Sequence, residues 1–142
     1  MYASALTKVK QTAAKQLASY RKSKALLASH TLKAQERAQL ARWTQAIEGA
    51  RAILHDAMPE KERAMTRLFG LDAPTPRHLR AHTRLIRLSM DMNVSESTLY
   101  KWRNEILLLV MGAAIETGAV SPFGLRAAAG TGCGGETKQR DD

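Results

Sequence analysis

At 142 residues, with 44% of them hydrophobic and 25% charged, the chain has the size and apolar content of one ordinary domain that needs no metal or disulfide staple. Its net charge of +9 points to a polyanionic partner, either nucleic acid or an anionic membrane surface. The one cysteine, Cys133, stands in a Gly-rich stretch without clustered His, so neither a structural disulfide nor a zinc site is expected there, and a reducing cytoplasm is the natural setting.

The first acidic residue is Glu36, and the segment before it is rich in Ala, Ser and Lys, as a mitochondrial transit peptide would be. Lys outweighs Arg there, however, and Leu6, Val9, Ala13, Leu17 and Tyr20 recur at the spacing of a core-facing helix, predicting a basic helix from about Ser4 to Ala28. The pattern lapses over Ser29 to Leu32. Leu40, Trp43, Ile47, Ala50 and Leu54 then mark a second long helix, with Arg37, Arg42 and Arg51 on its opposite side. A single helix running through His30 is the alternative.

Pro59 suits the first position of a third helix, where Glu60 and Glu62 face the positive end of the dipole, and Gly70 ends it. Thr75 as cap and Pro76 as first residue predict a fourth helix, with Arg77 to Met92 keeping Leu79, Leu85, Ile86 and Leu88 in one apolar sector. A fifth follows Ser95, and its apolar run from Ile106 to Ile115 must bury against the first two helices or another subunit. That run is about half what a membrane-spanning helix requires, so no transmembrane segment is expected. From about Gly130, glycines and polar residues predict a disordered tail. The fold class is thus all-α: a helical bundle with long N-terminal helices over 1–57, a helix-turn-helix unit over 58–117, and a tail over 118–142.

Charge is uneven along this order. Through Met58 there are ten Lys and Arg against three acids, from Pro59 to Asn104 nine against five, and beyond that three against five, so the cationic surface belongs to the first three quarters.

Between the last two helices, Asn93-Val94-Ser95 suits a tight turn: Asn tolerates the left-handed conformation, Val plugs the core, and Ser caps the next helix. Leu85, Leu88 and Met92 before it, and Leu99, Trp102 and Ile106 after it, take inward positions, with the small Ser89 where the helices approach. Glu96, Ser97, Tyr100, Lys101 and Asn104 remain outside, as candidates for reading base edges with the helix N-terminus leading into a major groove. Arg77, Arg80, Arg84 and Arg87, at offsets of three, seven and ten, form a stripe without an acid between Asp72 and Asp91. They are candidate phosphate contacts, with Ser95, Thr98 and Arg103 beside them. A solvated helix pair in any bundle would carry the same apolar spacing, but its exposed face normally mixes charges of both signs.

Two segments, Met-Pro-Glu-Lys-Glu-Arg over Met58 to Arg63 and Asn-Val-Ser-Glu-Ser-Thr-Leu-Tyr-Lys-Trp-Arg-Asn-Glu-Ile-Leu over Asn93 to Leu107, resemble the C-terminal part of phage late-gene regulators of the RinA and ArpU type. Those in turn resemble region four of bacterial sigma factors. The resemblance runs from about Met58 to Ala114 and implies a bacterial or prophage transcription regulator, although the connector from Gly70 to Arg84 is longer and richer in Arg than that family's pattern.

His78 and His82 lack the intervening glutamate of a helical metal motif and stand among arginines, so no metal is expected on them. Trp43 fits a packing role. No nucleophile with its base, paired carboxylates or phosphate-cradling Gly loop is present, so neither an enzyme nor a cofactor is expected. The partner read from these residues is double-stranded DNA, with RNA polymerase and a second copy of the chain as further candidates and no membrane. Two alternatives stay open at this point: a small terminase subunit marking phage DNA for packaging, and a basic helical adaptor that grips RNA polymerase or RNA.

Overall fold

The computed structural model describes residues 2–74 and 78–121, with the backbone alone for residues 2–6. Six helices follow one another: α1 (Tyr2–Ala18), α2 (Tyr20–Ala28), α3 (Ala34–Ala57), α4 (Pro59–Phe69), α5 (Ala81–Met92) and α6 (Glu96–Thr117). The fold is all-α, with no strand among the described residues. None of these helices is long and apolar enough to cross a membrane.

The predicted first helix is divided at Ser19, whose φ of −98° and ψ of 7° leave the helical region. Hydrogen bonds from Ser19 N–H to the Lys15 carbonyl and from Ser23 N–H to the Ser19 carbonyl flank this break, where the helical ladder is interrupted and the chain direction can change. The break accompanies tertiary contact: Tyr20 and Ser23 are buried, and the Tyr20 hydroxyl donates to Glu48 of α3 at 2.7 Å. Lys24 donates to the same carboxylate oxygen at 3.0 Å. Burial and then the Glu48 carboxylate raise the Tyr20 phenol above its ordinary pKa, while the Tyr20 hydrogen bond holds Glu48 below its own.

α2 stops where the sequence pattern lapses, and its last carbonyls are satisfied from a distance. The Arg37 guanidinium donates to the carbonyls of Leu27 and Ser29, tying α3 to the end of α2. Glu36 accepts from the Lys33 backbone N–H at 3.3 Å, the acidic half of a capping box that starts α3. α4 begins with Pro59 at its first turn, as expected, and ends on Gly70 in the left-handed conformation at φ 63°.

The start of the predicted fourth helix is corrected. Arg80, at φ −68° and ψ 154°, is the extended residue before α5, so helix begins at Ala81 and Arg80 and His78 lie outside it. Arg80 therefore does not share a helical face with Arg84 and Arg87. Thr75, Pro76 and Arg77 lie outside the described residues, as do Cys133 and the tail from Gly130.

α6 packs most extensively on α3 and also against α1, α4 and α5. Along it Leu99, Ile106, Leu107, Val110, Met111 and Ala114 are buried, so one face of the long apolar run is covered within the chain, in a cluster with Trp43, Ile47, Ala50 and Leu54 of α3 and Ala13 and Leu17 of α1, while Leu108 on the other face stays exposed. This core joins helices from both sides of residue 58. The end of α6 and the two residues after Gly118 are tied to the body: Thr117 donates to the Arg42 carbonyl, Gln39 donates to the Ala119 carbonyl, and the Val120 N–H reaches the Ala114 carbonyl.

Arg51, read from the sequence as an outward cation, is instead the centre of a polar joint between α3 and α4. It donates to Glu62 at 3.0 Å, Thr66 at 3.1 Å and Asp72 at 2.6 Å. Burial alone would raise the Glu62 carboxyl, but the bonds from Arg51 and Thr66 outweigh it and hold Glu62 below the ordinary carboxylate range.

A group held below its unfolded value stabilises the fold above that value and loses the contribution as pH falls through the lower, folded one. Glu62→Gln should therefore cost about 1 kcal/mol in urea unfolding at neutral pH, with parent and variant converging as pH falls below about 4. A gap that persists unchanged into acid would show that Glu62 acts through packing alone.

Candidate nucleic-acid interface

α5, the three residues Asn93, Val94 and Ser95, and the start of α6 form a helix-turn-helix. Asn93 takes the left-handed conformation at φ 57° and ψ 43°, the only non-glycine to do so among the described residues. That conformation lets the Val94 N–H reach back to the Ser89 carbonyl at 3.1 Å, closing α5 while the chain reverses. Ser95 then caps α6, its Oγ accepting from the Thr98 N–H at 3.1 Å.

Beneath the turn lies a separate small core of Ala64, Leu85, Leu88 and Leu99, surrounded by Leu68, Met92, Val94 and Trp102. α4 thus supplies the floor, and Ala64, without a longer side chain, lets it approach. The inward positions expected from the sequence are inward: Leu99 and Ile106 are fully buried, and Leu85 and Leu88 nearly so. Trp102 is half-buried and, with Leu68, touches both this cluster and the main core.

On the opposite side of α6, Ser97, Tyr100, Lys101 and Asn104 are all exposed, at spacings of three, one and three that place them on one helical face. The side chains of Tyr100, Lys101 and Asn104 make no hydrogen bond to another described residue. Glu96 is half-buried in the first turn, where its charge faces the helix N-terminus.

The candidate phosphate contacts are less uniform. Arg80 and Arg87 are exposed. Arg84 is half-buried and donates to the Leu79 carbonyl at 2.5 Å. The Ser95 and Thr98 hydroxyls lie 2.8 Å apart within the cap. The Arg103 guanidinium sits over the Phe69 ring, 5.7 Å from its centroid, and so bridges α6 to the end of α4.

Arg84, Arg87, Tyr100 and Arg103 line one cleft together with Lys15 of α1 and Arg67 of α4. Lys15 and Arg67 were not singled out by the sequence, because nothing local to them signals an approach to α5. Arg67 pairs with Asp91 at 2.8 Å, which offsets the acid near the end of α5.

Against family models, curated proteins and solved structures, the chain has no match in any of the three comparisons.

The two inward aromatic and aliphatic residues of α6 should differ in cost. Leu99→Ala, at a fully buried site, should lose about 2–5 kcal/mol of unfolding free energy. Trp102→Ala should lose about 2–3 kcal/mol, at or below the low end of the usual range for a tryptophan because the residue is only half-buried. Chemical denaturation of both variants checks this, and a Trp102→Ala protein as stable as the parent would contradict the packing of Trp102 between the two clusters.

Proposed function

We propose that this chain is a sequence-specific DNA-binding transcription regulator that reads duplex DNA with the N-terminal half of α6. The observation that carries the reading is the exposed quartet Ser97, Tyr100, Lys101 and Asn104 on one face of a helix that follows a tight left-handed turn and is seated on its own small core. A helix presented in this way enters a major groove with its N-terminus leading, so Ser97, Tyr100 and Lys101 meet base edges first and Asn104 lies one turn further along.

The chemistry of the four suits that task. Lys101 is a donor for the guanine O6 and N7 edge, Asn104 can both donate to and accept from adenine, and Ser97 can do either with less selectivity. The Tyr100 ring offers an apolar surface for a thymine methyl and a hydroxyl for a phosphate. Arg80 and Arg87, both exposed, flank this face as phosphate contacts, and the net charge of +9 favours association with a polyanion. The resemblance of Asn93 to Leu107 to phage late-gene regulators supports a role in phage or prophage transcription.

Selection of bound fragments from random duplexes should yield an enriched motif. On that motif Lys101→Ala and Ser97→Ala should each cost about 1–3 kcal/mol, with little change on a scrambled duplex. Arg87→Ala should weaken both duplexes alike and flatten the slope of log affinity against log salt by about 0.9. Equal losses on both duplexes for Lys101 and Ser97 variants would overturn base reading. Ring assembly on DNA would favour a packaging role, and binding that needs RNA polymerase would favour an adaptor.

A further inference from the structure

The cleft between the end of α1, the end of α4 and the two helices of the helix-turn-helix has a volume of about 870 Å³, within the range of small-molecule sites. Its lining is apolar: Phe69, Leu85 and Leu88 are buried beneath it, and the half-buried Ala14, Leu68 and Leu79 present the apolar surface. Its rim is polar, with Lys15, Arg87 and Tyr100 exposed to solvent.

The charges at this cleft do not cancel. Its two acids are already engaged, Asp72 by Arg51 at 2.6 Å and Asp91 by Arg67 at 2.8 Å. Lys15 and Arg87, by contrast, have no carboxylate partner among the described residues, and Arg103 rests on the Phe69 ring and on no acid. Three cations, from α1, α5 and α6, thus line one cleft with no acid paired to them among the described residues. Surface arginines and lysines that serve solubility stand apart from one another, whereas these border one concavity.

We propose that this cleft is a binding site for a small aromatic anion, a planar apolar body bearing a carboxylate, sulfonate or phosphate. The body lies on the apolar surface of Ala14, Leu68 and Leu79, and the acid group meets Lys15, Arg87 and Arg103. An inorganic anion would leave that surface unused, and an uncharged ring system would leave the cations uncompensated. The inference stands on the cleft alone and needs no DNA, so it holds or fails separately from the reading of α6 as a DNA-reading helix.

The test uses the full chain without DNA and the fluorescent probe anilinonaphthalene sulfonate, with uncharged phenylnaphthylamine as its counterpart. The expected result is one saturable site per chain, displaced by salicylate and far less by inorganic phosphate, with phenylnaphthylamine bound about tenfold more weakly. Lys15→Glu and Arg103→Gln should each weaken the probe by about tenfold, and Lys22→Glu, the same charge change on exposed α2, should not. Lys15 is exposed on α1 and outside the helix-turn-helix, so its variant keeps the test valid should Arg103→Gln fail to fold, which circular dichroism reports. Several weak sites per chain, equal displacement by phosphate, or a Lys15→Glu protein that binds like Lys22→Glu would overturn the proposal.

Discussion

The burial of one side of α6 is the constraint on which the rest of the structure depends. Leu99 at its start closes the small core of the helix-turn-helix, and Ile106, Leu107, Val110, Met111 and Ala114 fill the main core against α3 and α1. Each of these side chains removes apolar surface from water at roughly 1.5–3 kcal/mol when large and fully covered, so the helix contributes a substantial part of the hydrophobic stabilisation of both clusters. Trp102 and Leu68 sit between the clusters and make them continuous. The exposed face of α6 is therefore held by the same helix that anchors the body.

A chain with 22 Lys and Arg against 13 acids has cations to spare, and the structure divides them by task. Arg37 satisfies the end of α2, Arg51 joins α3 to α4, Lys61 pairs with Glu105 of α6 at 2.6 Å, and Arg67 answers Asp91. Around the turn, Arg80, Arg87 and Lys101 pair with no acid among the described residues. Net charge alone overstates the surface available to a polyanion.

The legible parts of the fold were those in which a residue type dictates its own backbone. Pro59 opens α4, Gly70 closes it, and Asn93-Val94-Ser95 builds the turn, because each needs only local chemistry. Inward spacing over Leu85, Leu88, Leu99 and Ile106 was equally readable. The break at Ser19 was not, since no proline or glycine marks it and it goes with Tyr20 reaching Glu48, 28 residues away. The roles of Arg37 and Arg51 were hidden for the same reason: their partners lie on other helices, and sequence spacing along one helix carries no record of them. Likewise the outward quartet of α6 could be placed on a face from spacing, whereas the cleft that Lys15 shares with Arg87 and Arg103 exists only once α1 has packed.

Because α6 runs from Glu96 to Thr117 without interruption, the azimuth of its outward face is geared to the packing of its far end. Removing or adding one residue between Asn104 and Ile106 would turn Ser97, Tyr100 and Lys101 by about 100° around the helix axis relative to Val110 and Met111, and shift them by about 1.5 Å along it. No loop is present in this stretch to absorb the change. Length variation in this stretch of α6 is thus confined to near-whole turns, three or four residues at a time, and residues 81–104 cannot be moved onto another scaffold as a cassette without carrying the phase of the helix that follows.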